Sequence, residues 1–480
     1  MKKIIIAAIL GTACVGGGVA TGVVANTPEY VLSNALSNAV EEFIEREDIS
    51  NLVDVFEQGS IDFSYEADYN FEAGGKVYFG LKDYKLFVEN AYVEDGTSTD
   101  GISTSANLYL SDEMIYVEND EYLDGAYGIK LKKLAKQFEN SIFYEDSDYS
   151  FPEEVSEMLV DILEYYEDDF KDLEKDLTKL YKDYTKKLGK LIKEYGEFES
   201  ENKKVSLNTG KSEKRVVTLE LDEKAIASIL EELMEYIIDD DKLEDLIITH
   251  VSCFDELISE HYGESFDADD IYDELINSLE AVANRTKDIK RSDIEIKLNV
   301  VTPKLSAKLL KVELEAEVNG FDREIAIDFG ENGVKKSRNI DLLIDNNKVG
   351  SYLIKENSKN KLSLKLASFD EEDEEEEIGI EFILDKEKGK FVLSYLEERF
   401  ETYTIKGNAE LNKNTISFDS ISAVKYVSDG RTYKEVELLE NIDISFSIST
   451  KDKMPKPNKD FINILEMSED DVYDLINDLE

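Results

Sequence analysis

The sequence predicts an α+β protein built from long antiparallel sheets, curved and half-barrel-like, covered by amphipathic helices. Three observations predict it. From Ser292 to Thr450 the segments SDIEIKLNVV, KVELEAEV, REIAIDF, NIDLLID, KLSLKLA, EIGIEFIL, KFVLSYL, TISFDSI and NIDISFSIST alternate apolar with polar residues. That alternation places successive side chains on opposite faces of a strand, so the sheet has one apolar and one wet face. Upstream the period changes: Leu173, Leu177, Leu180, Tyr184, Leu188, Leu191 and Tyr195 step by three or four, the apolar seam of a helix. Lastly, Lys2 and Lys3 precede an uncharged stretch from Ile4 to Ala25, which sets the N-terminus apart as an export segment.

Taken in order, residues 1–26 read as a signal peptide or a retained membrane anchor. The uncharged run of 22 residues is long enough to span a bilayer of roughly 30 Å, and Val23-Val24-Ala25 offers a small-residue cleavage site. Either reading places the remainder outside the cytoplasm, at the cell membrane or secreted, with the cytoplasmic membrane contacted through residues 4–25. Cys14 does not fit a lipobox, because Gly11 stands three places before it. Residues 27–150 read as a helix followed by antiparallel strands. Thr27-Pro28 supplies an N-cap and a first-turn proline, and Val31, Ala35, Leu36, Ala39, Val40, Phe43 and Ile44 share a face. Strands are expected at Ser60–Asp68, Lys76–Leu81, Tyr84–Tyr92, Ser103–Leu110 and Met114–Val117. Gly74-Gly75 reads as a hairpin turn, and a short helix near Lys130–Glu139 closes the block.

Residues 151–290 read as mainly helical. One helix is expected from Pro152 to about Phe198, then a hairpin about Asn208–Gly210 with strands near Lys204–Leu207 and Arg215–Leu221. Helices Glu223–Ile238, Lys242–His261 and Ala268–Asp288 follow, the last capped by Asp267. Residues 291–454 form the antiparallel meander, with the charge run Asp370–Glu377 as a solvated turn. Pro455 and Pro457 precede a C-terminal helix in residues 455–480, whose capping box is Ser468 with Asp471.

A net charge of −53 over 480 residues repels polyanions, which excludes nucleic acid as a partner. A hydrophobic content of 42% supports a real core in spite of 34% charged residues. One thiol, Cys253, lies outside the N-terminal segment, so the processed chain forms no internal disulfide. The two histidines, His250 and His261, bound the available chemistry. His250 and Cys253 are three apart and could share a metal, but His261 stands about 16 Å from His250 at 1.5 Å per helical residue. No candidate serine has a nucleophile elbow, and Cys253 with His250 lacks a third orienting group. Asp267, Asp269 and Asp270 begin like a calcium loop, yet Ile271 and Tyr272 stand where a ligand and a glycine are needed. Gly16-Gly17-Gly18 follows no strand and carries no phosphate site. Among 108 acidic residues no single carboxylate pair is distinguished. No catalytic, cofactor-binding or metal-ligating residue is therefore assigned.

The stretch Leu108–Phe143, LYLSDEMIYVENDEYLDGAYGIKLKKLAKQFENSIF, resembles a segment of uncharacterised exported proteins of Gram-positive bacteria that carry a domain of unknown function. GAYGI at Gly125–Ile129 is its most specific part, and the likeness extends loosely over Thr27 to Asp288. That resemblance implies export and supplies no catalytic residue. A helix followed by a long antiparallel meander is also similar in architecture to half-barrel carriers of the LolA and LppX type, which enclose lipid between sheet and helices. The expected function is a non-enzymatic extracytoplasmic binding or carrier protein for an apolar, lipid-like ligand. The alternatives are a cell-surface structural or interaction protein with a filled core, and a carboxylate-based hydrolase. The space against the apolar face of the sheet separates the three.

Overall fold

The computed structural model describes residues 27–479, apart from 68–70, 82–83, 96–101, 120–122, 124, 145–148, 169, 263–266, 291–292, 357–360, 370–376, 398–399, 429–432, 440–441 and 459. The expected signal or anchor in residues 1–26 and nearly all of the Asp370–Glu377 charge run fall outside the described residues. No described helix is long and apolar enough to cross a membrane.

Helices α1 (Pro28–Ile44) and α2 (Glu47–Gln58) lead into strands β1 (Ser60–Ala67), β2 (Phe71–Gly80), β3 (Lys85–Asp95), β4 (Ile102–Leu110), β5 (Met114–Glu118) and β6 (Ala126–Lys130). Next come α3 (Leu134–Glu139), α4 (Glu153–Asp168) and α5 (Phe170–Tyr195), then strands β7 (Glu197–Leu207) and β8 (Gly210–Asp222). Helices α6 (Glu223–Ile238), α7 (Asp241–Tyr262) and α8 (Ala268–Ile289) precede β9 (Ile294–Thr302), β10 (Lys311–Val318) and β11 (Phe321–Asp328). After the short α9 (Gly333–Lys336) the meander runs through β12 (Asn339–Ile344), β13 (Asn347–Glu356), β14 (Lys361–Phe369), β15 (Glu377–Asp385) and β16 (Lys390–Glu397). It continues through β17 (Phe400–Leu411), β18 (Thr415–Ser428), β19 (Tyr433–Glu437) and β20 (Ile442–Ser449), and the chain closes with β21 (Ile462–Asn463) and α10 (Glu469–Leu479).

Every strand joins one curved, unclosed sheet. Consecutive strands pair antiparallel from β7 through β18. β18 then pairs with β20, β20 with β1, and β1 through β6 complete the sheet. Strands on either side of residues 150 and 290 thus share one sheet. β21 adds the parallel pairing, to β6. The expected α+β class and antiparallel meander are present.

Local chemistry accounts for the helix ends. Thr27 Oγ1 accepts the Tyr30 backbone N–H at 3.4 Å, ahead of Pro28 in the first turn. Asp267 accepts the Asp269 N–H at 3.0 Å. Ser468 and Asp471 form the reciprocal box, Ser468 N–H donating to Asp471 at 3.1 Å and Asp471 N–H to the Ser468 hydroxyl at 3.3 Å.

Two expectations are corrected, and one strand was not foreseen. Gly74-Gly75 is not a turn but lies inside β2, where the pairing with β3 slips between Gly74 and Lys76. A Cβ on Gly74 would stand 2.7 Å from the Tyr92 ring and 2.8 Å from the Phe63 carbonyl. The glycines serve close strand approach at a bulge under an aromatic ring, a role sequence spacing does not separate from a turn. The long helix ends at Tyr195, not Phe198, and is described as α4 and α5 on either side of Asp169. Gly196 follows its last turn, at a position where a Cβ would meet the Ile192 carbonyl and Leu219 at 2.6 Å. The GAYGI stretch, whose Gly125 lies just before the strand, is itself largely strand β6.

Candidate functional site

Register decides which side chains share a face, because residues directly opposite in a ladder point the same way. One row reads Leu411, Ile416, Ile448, Ile61, Val77, Val88, Leu108 and Val117 across eight strands. A second reads Tyr352, Leu366, Ile380, Tyr395 and Tyr403. A third reads Val217, Val300, Val312, Ile327 and Leu342. All three lie on one continuous face. The other face carries rows such as Ser417, Ser447, Asp62, Lys76 and Glu89. It buries two apolar patches of its own, Val205, Leu207, Val216, Val301 and Leu310, and the ladder Tyr78, Phe87, Tyr109, Tyr116 and Phe461.

The apolar face is concave. Phe382 on β15 and Phe418 on β18 sit three strand spacings apart, roughly 14 Å in a flat sheet, yet their ring centroids are 6.4 Å apart. Phe391 and Phe418, two spacings apart, approach to 4.9 Å. Such contacts require the sheet to curl toward that face. Leu384, Phe391 and Phe418 are accordingly only 2%, 4% and 8% exposed, buried in a cluster formed by strands alone. Bulges between Lys406 and Asn408, with Ser420 at φ 51°, and between Tyr395 and Leu396 supply the bend.

Helices fill one end of the trough. Val31, Leu32 and Ala35 of α1, Leu191 and Ile192 of α5, and Ile229 of α6 pack on Val217, Leu219 and Val300. The expected Leu173–Tyr195 cover helix does this with its C-terminal half. Farther up, Tyr184 turns instead to α6, packing edge-on against Tyr236 and donating to Asp240 at 3.0 Å; this burial and the Asp240 carboxylate push the Tyr184 hydroxyl pKa up.

Helix α2, which the sequence reading passed over, straps the open side. At its start Arg46 donates to the Val334 carbonyl at 2.7 Å and lies 5.7 Å over the Tyr352 ring of β13. At its end Phe56 meets Phe79 of β2 edge-on at 5.3 Å. Both contacts are on the concave face. Along the sheet β13 and β2 are eight spacings apart, roughly 38 Å of arc. The 12 residues of α2 bridge them with about 18 Å of helix. Ile49, Leu52, Val53 and Phe56 at helical spacing were the available signal.

The middle of the trough is wet. Leu366 is 59% exposed and Ile378 and Ile380 are about half exposed, while Phe63, Leu108, Leu314, Ile325, Tyr403 and Ile416 are each more than a third exposed. Every exposed large apolar side chain in a described strand lies on this one face. At roughly 150–200 Å² per large side chain these residues expose on the order of 700 Å² between them, spread over the concave face. No known protein family, curated protein or solved structure matches the chain.

The other candidates do not assemble. His250 Nδ1 is 3.0 Å from the Tyr165 hydroxyl, joining α7 to α4; the side chains of Cys253 and His261 are outside the described set. Among described residues no group of three metal-ligating side chains forms, and Asp267 is spent as a helix cap. A polar cleft of about 230 Å³ lies between Tyr195, Glu197, Glu220, Asp222 and Lys224. Beside it, burial and a hydrogen bond with Glu295 raise the Glu220 pKa, while the Lys297 ammonium holds Glu295 low. Two carboxyls in mutual hydrogen bond leave no space for the glycosidic bond that a hydrolase pair must flank.

Proposed function

We propose that the chain is an extracytoplasmic, non-enzymatic carrier that holds an apolar ligand in the concave trough. One observation carries the reading: the exposed large apolar residues of the strands are gathered on the concave face, partly bridged by α2. A face of that size left wet is a ligand or partner surface. Export rests on Lys2, Lys3 and the uncharged Ile4–Ala25 run, supported by the resemblance of Leu108–Phe143 to exported Gram-positive proteins; the carrier reading draws on the architectural likeness of helix and meander to half-barrel carriers.

The filled end, where α1, α5 and α6 pack on β8 and β9, favours the structural reading for that part of the sheet. It serves in the carrier as the rigid foundation of the open part. The test is binding of a fluorescent fatty-acyl probe to delipidated full-length protein, wild type against Leu366→Glu with Ile380→Glu. Both residues are about half exposed, so the fold is retained while a charge enters the trough. The wild type should bind, and the double variant should lose about tenfold or more in affinity, the equivalent of ~1.4 kcal/mol. Equal binding by both proteins, or none by the wild type, contradicts the proposal.

A further inference from the structure

We infer that the end of the sheet where β10 turns into β11 is a membrane-docking rim, with Phe321 inserted among lipid acyl chains and the trough opening onto the bilayer. This rests on the carrier reading above and adds the partner from which the ligand is taken. β10 and β11 are joined by the two residues Asn319 and Gly320, at φ 52° and 81°, the tight turn that suits a twisted hairpin. The pair flanking it, Val318 with Phe321, lies on the apolar face, and Phe321 is 81% exposed. The trough opens at this same end. Leu366, Ile378 and Ile380 stand wet in the halves of β14 and β15 on the hairpin's side, while Leu384, Phe391 and Phe418 pack together in the opposite halves of their strands. The path of α1 leads independently to the same end. Its C-terminus is fixed at the far end, where Lys335 of α9 meets Glu45 at 2.7 Å. From there α1 runs back about 25 Å over β9, β8 and β7. The core it joins reaches Phe198 and Leu221, near the hairpin end of β7 and β8. The N-cap Thr27 is thus directed to that end, and the uncharged Ile4–Ala25 run leaves the fold there. At a net charge of −53 electrostatics does not draw the chain to a lipid surface, so the contact has to be apolar. One ring and one valine bury too little to recruit a free protein, but enough to orient one that is tethered just ahead of α1.

The test uses the full-length chain, with Cys14 and Cys253 replaced by serine, reconstituted in phosphatidylcholine vesicles. A fluorophore is attached at Asp322→Cys, beside Phe321, or at Ser306→Cys, beside the exposed Leu305 at the opposite end of the same strands. The vesicles include a phosphatidylcholine whose acyl chain bears a spin-label quencher. The label at 322 should lose most of its emission, the label at 306 should keep it, and Phe321→Ser should abolish the loss at 322. Quenching at both positions, at 306 alone or at neither overturns the docking inference, as does quenching at 322 that survives Phe321→Ser. Quenching at neither, with sedimentation as a stable dimer, assigns the tip to a second copy of the chain. The carrier reading is judged separately by the fatty-acyl probe. A protein that binds the probe but is quenched at neither position keeps that reading and loses the docking rim; one quenched at 322 that binds no probe keeps the rim and loses the carrier.

Discussion

Leu366 and Ile380 are the residues on which the proposed function turns, because they are large, apolar, adjacent in register and wet. Their neighbours on the same strands show why those residues are not merely unlucky surface positions. Lys365 and Glu381 pair on the opposite face, as a solvated sheet requires, so the alternation is intact and it is the apolar side that is left open. Gly74 illustrates a residue fixed by packing. Gly74→Val would drive a side chain into the Tyr92 ring and the Phe63 carbonyl, and should cost about 1–3 kcal/mol, read as a lowered urea midpoint. Asp452 ties the segment after β20 to β2 through Lys76 at 2.7 Å and to β1 through Ser60 at 2.8 Å. Partial burial works to raise its pKa, but the hydrogen bonds from Lys76 and Ser60 outweigh it and hold the carboxyl below its ordinary value. With the folded pKa depressed, this contribution is present above about pH 4 and is lost as pH falls through the folded value. Asp452→Asn should therefore flatten the fall in melting temperature below pH 4. An unchanged acid slope would show that the bridge contributes nothing there.

At the scale of elements, helix caps and strand alternation were legible because their chemistry is local. Thr27-Pro28, Asp267 and Ser468 with Asp471 each satisfy their own backbone, and Asn208–Gly210 closes the hairpin where expected. β6 was not legible: AYGIK is short and its Gly128 packs against the backbone of Ile115 and Tyr116, a need created by the neighbouring strand. The Gly74-Gly75 misreading has the same origin. α2 was overlooked although its apolar residues keep helical spacing, because its role as a strap depends on a curl of the sheet that no local pattern encodes. If α2 is held mainly by the Phe56–Phe79 contact, Phe56→Ala should weaken it by about 1 kcal/mol. Hydrogen exchange should then quicken in residues 47–58 while α1 and the strands keep their protection. Faster exchange throughout the sheet would mean that α2 is part of the core and not a strap over it.

For the whole molecule, the central unknown left by the sequence was what the apolar face touches. The answer differs along the sheet: a packed core under α1, α5 and α6, a self-packed curl around Phe391 and Phe418, and an exposed patch about Leu366 and Ile380. Alternation predicted the face, but the bulges near Ser420 and Tyr395 that curl it are set by pairing between strands, so the trough could not be read from one strand at a time. The most direct test compares the two faces of one strand. An environment-sensitive fluorophore is placed at Leu366→Cys or at Lys365→Cys, with Cys14 and Cys253 replaced by serine, and phosphatidylcholine vesicles are added. A ligand-binding trough requires a blue shift from the label at position 366 and none from its neighbour at 365; a shift at both, or at neither, would contradict the assignment of the apolar face.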